Sequence, residues 1–322
     1  GVVVRFFRLL HLALPYLVLP DESAAVEQLP GGSLAEALPR PPKSLAVDWE
    51  GRRLFKGHDS TTLEVPWTIE ELEVSRLLTQ YILKSLDNAR GGDRGFALVV
   101  ELVMHTFHKI AASSWRALAS ALSKRAAGLK TRQQTLAELL QLEDEDAERA
   151  EFVQPLQEFF ADEGKLLETL LARVRGLGKD SKWDRCVELL RELQAREPGS
   201  KVLVFTQYRA TQDHICLCLA KLFPGTRVEV IHGDTTPEAR RDARRRFEQE
   251  SRFLVSTEAG GEGINLQKAC HLMVNYDLPW NPMRLQQRIG RLDRYGQLQR
   301  VQVFNLRVPE SWDARISQRI QE

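Results

Sequence analysis

The sequence predicts an α/β fold: a parallel sheet covered on both faces by helices, preceded by a mostly α-helical region. Three observations lead there. Beyond Lys182, short continuous apolar runs rich in β-branched residues alternate with amphipathic stretches, the signature of strands buried on both faces. The glycines, histidines and polar residues of this half cluster directly after those runs, where a parallel sheet gathers its functional groups. Between residues 68 and 128 the apolar spacing is helical, set between capping residues and glycine stops.

Residues 1–47 form an irregular segment, with Pro20, Pro30, Gly31, Gly32, Pro39, Pro41 and Pro42 interrupting every periodic pattern from residue 20 on. Residues 48–179 read as a mostly helical linker or insertion. Thr68 and Glu71 make a capping box before Leu72, Leu78, Ile82 and Leu86, which predicts a helix over 68–89. Phe96, Val99, Val100, Val103, Phe107 and Ile110 mark a second helix. Trp115, Leu118 and Leu122 mark a third, with Ser113 or Ser114 as its cap and Gly128 as its stop. Helical patterning returns over 151–175. From 180 to 322 the order is helix 182–196, strand 202–206, helix 210–222, strand 227–231, helix 237–249, strand 253–257, strand 271–276, helix 282–295 and strand 301–306.

At 322 residues, 43% apolar and 28% charged, the composition is that of a globular protein. The formal net charge of +1 is uninformative as a whole, but the basic excess lies from Asp184 onward. Cys186, Cys216, Cys218 and Cys270 form no C-x-x-C pair, and no histidine stands at zinc-ligand spacing, so the thiols are expected to be reduced and mostly in the core. Val2 to Leu19 is apolar but broken by Arg5, Arg8, His11 and Pro15, which argues against a membrane span, and no small-x-small cleavage site follows it. A cytoplasmic address is expected. The chain begins with Gly1, which reads as a fragment or a processed product. No G-x-x-x-x-G-K-[ST] loop occurs anywhere in it.

The run Asn281 to Gln297 is the most informative. Asn281 and Pro282 suit the N-cap and first helical position, and Gly296 suits a left-handed stop, so one helix of about four turns is expected. Leu285, Ile289 and Leu292 make an apolar stripe, with Gln287, Arg291 and Arg294 on the far side. Two guanidiniums one turn apart could hold an anion and stabilise charge on a transferring phosphoryl group; they also fit a solvated basic face. The neighbouring residues carry the decision: Lys201 to Tyr208, Ile231-His-Gly-Asp234 with Arg240, Ser256 to Leu266 with Gly260, Gly261 and Gly263, and Asn275 to Pro282.

In this order and spacing these five motifs resemble the C-terminal RecA-like lobe of superfamily-two helicases of the Swi/Snf type, closest to their bacterial RapA-like branch. The helical stretch is similar to the linker and insertion that join the two lobes in bacterial members. The resemblance implies that ATP, with Mg2+ held mainly by the other lobe, sits between this lobe and an N-terminal lobe bearing the Walker loop and DExH carboxylates. It implies that Arg291 and Arg294 reach the γ-phosphate, with Gln287, Gly261, Gly263 and Asn265 on the ATP side. Thr206, His232, Gly233, Arg240, Thr257 and Trp280 would then lie along the phosphate backbone of double-stranded DNA. The complete protein would be an ATP hydrolase and translocase. This chain alone would be inactive. RNA polymerase or a genome-defence complex is the expected partner, and no membrane is.

Overall fold

A computed structural model describes residues 55–89, 94–131, 158–261, 263–279 and 281–309. All belong to one compact unit, Lys43–Glu322. In chain order the elements are β1 (His58–Glu64), α1 (Ile69–Ala89), α2 (Arg94–Ser113), α3 (Trp115–Thr131), α4 (Glu163–Arg175), α5 (Ser181–Arg196), β2 (Val202–Phe205), α6 (Arg209–Leu222), β3 (Val228–Ile231), α7 (Pro237–Gln249), β4 (Phe253–Ser256), the single turn α8 (Glu258–Gly261), β5 (Leu272–Asn275), α9 (Pro282–Ile289) and β6 (Val301–Arg307).

The strands form one six-stranded sheet in the order β1-β6-β5-β2-β4-β3, parallel at every pairing. Alternation within each short strand sends side chains to opposite faces. Val202, Val204, Phe253, Val255, Leu272 and Val274 pack under Leu189, Leu190 and Leu193 of α5 and Ile215 and Leu219 of α6. Leu203, Phe205, Leu254 and Met273 face the other way, toward Ala243 and Phe247 of α7 and Ile289 of α9. The expected parallel sheet with helices on both faces is what forms. The sheet also takes in β1, a polar edge strand for which the sequence reading had no place; it pairs with β6 over seven positions, from His58↔Val301 to Glu64↔Arg307.

The helical region forms α1 to α4 with two corrections, at Gly128 and over 158–162. The latter residues are non-helical where helical patterning was expected, α4 starting only at Glu163; residues 151–157 lie outside the described residues. Thr68 and Glu71 exchange the two capping hydrogen bonds (Thr68 N–H to Glu71 Oε2, 2.8 Å; Glu71 N–H to Thr68 Oγ1, 3.2 Å). Ser114, rather than Ser113, caps α3 by accepting from the amides of Arg116 and Ala117. α3 runs through Gly128 to Thr131 instead of stopping there, because a glycine costs a helix interior only about 1 kcal/mol. Among the described residues α2 alone is long and apolar enough to cross a membrane. Half of its apolar window is buried, with Val100, Val103, Met104 and Phe107 inside the bundle core.

Two buried carboxylates organise the bundle. Glu163 accepts both ends of the Arg125 guanidinium (2.9 and 2.8 Å), the Tyr81 hydroxyl (2.7 Å) and the Phe159 amide (2.7 Å). Arg125 and Glu163 are fully buried. Glu71 accepts from Trp115 Nε1 (2.9 Å) and from the amide and hydroxyl of Ser181 (3.0 and 2.5 Å), tying α1 and α3 to the start of α5. Burial pushes its pKa up, but the hydrogen bonds from Ser181, Thr68 and Trp115 outweigh that and hold it below the usual glutamate range.

Asp180 shows the opposite balance. It caps α5 through Oδ1, which accepts from the Trp183 amide at 3.0 Å, while Oδ2 is buried with no hydrogen-bond partner. Burial pushes its pKa up to about 6.

Two outcomes follow for unfolding experiments. Arg125→Met, which strands the Glu163 carboxylate, is expected to cost about 3–5 kcal/mol in urea denaturation. For Asp180 the folded pKa lies above the unfolded value, so between about pH 4 and 6 the folded chain holds a proton that the unfolded chain lacks. Its contribution is favourable below that window and is lost as pH rises through it. Asp180→Asn, which keeps a cap and removes the charge, should therefore stabilise by about 2 kcal/mol at pH 7, a gain that vanishes near pH 4.

Candidate nucleotide and nucleic-acid interface

Because every strand runs the same way and the registers align Phe205 with Ser256 and Asn275, and Ile231 with Ser256, the segments following β2, β3, β4 and β5 emerge side by side. The ladder continues past the strand ends: Thr206 N–H donates to Ser256 O (3.1 Å), Thr257 N–H to Ile231 O (3.0 Å) and Tyr276 N–H to Phe205 O (2.9 Å). Gln212 of α6 donates its side-chain amide to the carbonyls of Ile231 and Val255 (2.9 and 3.0 Å), bridging β3 and β4.

Asp277, after β5, is the hub beneath this edge. It is buried, and its carboxylate accepts from the Thr206 hydroxyl (2.6 Å), the Gln207 amide (2.9 Å) and the Ser113 hydroxyl at the end of α2 (2.7 Å). Thr206 is thus fully buried with its hydroxyl committed to Asp277; it supports the surface from below. Thr257 is fully buried as well, and its hydroxyl oxygen accepts from the Gly260 amide.

His232 and Gly233 are half-buried at the end of β3. Arg209, which the sequence reading passed over, places Nη1 3.1 Å from His232 Nδ1 and 2.5 Å from Asp234 Oδ2. Burial and then the Arg209 charge push the His232 pKa down, partly offset by Asp234, so the imidazole is neutral at pH 7 and accepts from Arg209. Arg240 lies half-buried in the first turn of α7, whose N-cap Thr236 accepts from the Ala239 amide.

The glycine-rich segment is shaped by close packing. A Cβ on Gly260 would lie 2.6 Å from the backbone of His232, and one on Gly261 2.7 Å from the Phe205 ring. Both glycines are buried. Gly263 is exposed, at φ +72°, where glycine is favoured.

The arginine segment departs from expectation. α9 ends at Ile289, with Gly290 as its C-cap, so Arg291 and Arg294 stand on the irregular turn that follows and not on one helix face with Gln287. Gln287 is exposed on α9. The physical reason lies in the carbonyls a longer helix would need. That of Arg291 accepts the Leu266 amide (3.2 Å), and that of Gly290 accepts Nε of Arg294 (2.5 Å). Leu292 is drawn into the core below the sheet. Arg294 also donates from Nη1 to Asn265 Oδ1, so the turn and the glycine-rich segment are joined side chain to side chain and backbone to backbone.

Arg288 was also missed in the sequence reading, although it stands in the same run. It is buried, and its guanidinium donates to Asp277 O (2.8 Å), Asn275 Oδ1 (3.2 Å) and Glu258 Oε2 (3.4 Å), pinning α9 to β5 and α8. Gln297, equally unforeseen, donates Nε2 to the carbonyls of Cys270 (2.9 Å) and Leu292 (3.3 Å) and closes the turn from inside. Trp280 lies outside the described residues. Of the four cysteines, Cys186 and Cys270 are buried and Cys216 and Cys218 half-buried, all unbridged. Among the described residues no three His, Cys, Asp or Glu side chains are gathered as metal ligands.

The parallel, RecA-like sheet thus carries a glycine-rich segment and an arginine turn joined at its carboxyl edge. Residues 181–296 match the helicase conserved C-terminal domain. One relative is the uncharacterized ATP-dependent helicase YqhH of Bacillus subtilis, 39% identical over 140 residues, a stretch that makes up 44% of this chain and 24% of that protein. Another is the RNA polymerase-associated protein RapA of Pectobacterium atrosepticum, 37% identical over 133 residues, 39% of this chain and 14% of RapA. The chain thus spans a quarter or less of the length of these relatives. The fold is shared with the C-terminal part of the Fun30 ATPase domain (TM-score 0.51, 16% identity, 81% of this chain and 88% of that one). It is shared too with the Hef helicase domain of Pyrococcus furiosus (TM-score 0.55, 18% identity, 84% and 58%).

Gly260→Ala tests the packing of the glycine-rich segment. Its Cβ would meet rigid backbone, so the variant should lose about 1–3 kcal/mol in denaturant melts. Gly178→Ala, with open space around it, should lose much less.

Proposed function

We propose that this chain supplies the C-terminal lobe of an ATP-driven motor that translocates on double-stranded DNA and remodels nucleoprotein complexes. The observation that carries the reading is the union of Arg291 and Arg294 with Asn265 and Leu266 on one turn at the carboxyl edge of the sheet. Charge on that turn is positioned before any ligand arrives, as electrostatic stabilisation of a transferring phosphoryl group requires. ATP binds between this edge and an N-terminal lobe that brings the Walker loop, the DExH carboxylates and most of the Mg2+ ligands. Gln287, Gly263 and Asn265 face the nucleotide side, and Gly261, buried against Phe205 with its amide given to Thr257, shapes the segment beneath them instead of meeting the nucleotide. His232, Gly233 and Arg240, with Trp280, track the phosphate backbone, and Thr206 and Thr257 hold the strand ends beneath them. Closure of the two lobes on ATP then advances the motor, and hydrolysis resets it.

The chain contains no Walker loop, so by itself it is expected to turn over no ATP. In the two-lobe protein, Arg291→Ala or Arg294→Ala should lower kcat about 10³-fold, on the order of 4 kcal/mol. Unchanged turnover in both would overturn the role given to these arginines; a non-catalytic binding module would instead show no turnover and binding left intact by both substitutions. Arg240→Ala should weaken duplex binding equally across sequences and lower the slope of log K against log salt by about one.

RNA polymerase association is a second reading, favoured by the RapA relative. Co-purification of polymerase with the tagged full-length protein, lost on dissociation at high salt, is its test.

A further inference from the structure

Beyond the helicase motifs, the strand that precedes the helical bundle reaches the arginine turn. His58, the first residue of β1, places Nδ1 3.1 Å from Oδ2 of Asp293, which lies between Arg291 and Arg294 in sequence. The Asp293 side chain is 9% exposed and that of His58 30%, so the contact is largely shielded from water. A carboxylate only accepts, so Nδ1 carries the hydrogen. The pairing is fixed by backbone: Val301 N–H donates to Gly57 O (3.0 Å), and His58 stands opposite Val301 in the β1–β6 register. Next along, Asp59 accepts from Arg300 Nε at 2.6 Å. Both ends of the segment from Arg291 to Arg300 are thereby stapled to β1. On its inner side the same segment is held by Gln297 and by the buried Leu292.

We propose that His58 and Asp293 are positioning residues that set the placement of Arg291 and Arg294. The segment upstream of the helical bundle is then a working part of the arginine site. The inference rests on the function proposed above, in which those arginines act on a phosphoryl group. A turn carrying two such groups outside any helix needs an outer brace, because a displacement of about 1 Å can cost about 10²-fold in rate. β1 keeps its six other register pairs when His58 is changed, so the brace can be removed without removing the strand.

The test compares His58→Ala, Asp293→Asn, the double variant and His58→Asn, whose amide can donate from nearly the place of Nδ1. Asp59→Ala serves as the control. Amide hydrogen exchange of residues 290–296 in the chain itself should quicken about tenfold in both single variants and no further in the double, with the melting temperature within about 2 °C of the parent. His58→Asn and Asp59→Ala should exchange as the parent does. In the two-lobe protein His58→Ala should lower kcat about tenfold at unchanged KM for ATP, and His58→Asn should restore it. Unchanged exchange in His58→Ala, or faster exchange with full kcat, overturns the proposal. Failure of the underlying function is separate: it is seen as full turnover in Arg291→Ala and leaves the exchange result standing.

Discussion

The carboxylate of Asp277 is the interaction on which the rest of the carboxyl edge depends. It is buried, so its charge must be met, and three elements meet it: Ser113 from the end of α2 and Thr206 with the Gln207 amide from the end of β2 by hydrogen bonds, and Arg288 of α9 as an ion pair at 3.9 Å. Removing any one would leave a partly compensated charge in a low-dielectric site, a costly state, so these three elements are held in one arrangement with β5. Arg288 passes that arrangement on to Asn275, which is bonded in turn to Asn305 of β6, and Asn305 to Ser60 of β1. A chain of polar side chains therefore crosses three neighbouring strands and ends beside the brace on the arginine turn.

The same device joins the helical bundle to the sheet domain. Glu71 at the start of α1 grips Ser181 at the start of α5, Lys182 donates to the carbonyl of Ala112 (2.6 Å), and Ser113 reaches Asp277. These contacts are buried and directional, whereas apolar surfaces alone can slide. These contacts fasten the bundle to the lobe directly at the strand ends. Inside the bundle, Glu163 and Arg125 play the corresponding part among α1, α3 and α4.

Much of this was legible in the sequence because it rests on local chemistry. The capping box at Thr68, the N-caps at Thr236 and Asn281, and the apolar runs of β2, β4 and β5 are decided by residues a few positions apart. What was hidden depends on distant partners. β1 reads as polar loop because one face is water and its ladder partner lies at the other end of the chain. The early end of α9 could not be inferred from Leu285, Ile289 and Leu292, whose spacing continues past the break; it is set by Leu266 claiming the carbonyl of Arg291. Arg288 and Asp277 look like surface charges in the sequence, and only the fold buries them together.

The place of β1 also bears on how the chain comes to be folded. Its partner strand is made last among the described elements: Glu64 must wait for Arg307, 243 residues later, which at cellular synthesis rates of about 5–20 residues per second is on the order of ten to fifty seconds. A strand left without a partner for that time is an adhesive edge for any neighbouring chain. Asp59, Ser60, Thr61 and Thr62, exposed even in the finished sheet, let it wait in water. The polarity that disguised the strand in the sequence is thus suited to keeping a nascent polypeptide from sticking to its neighbours before β6 has been synthesised.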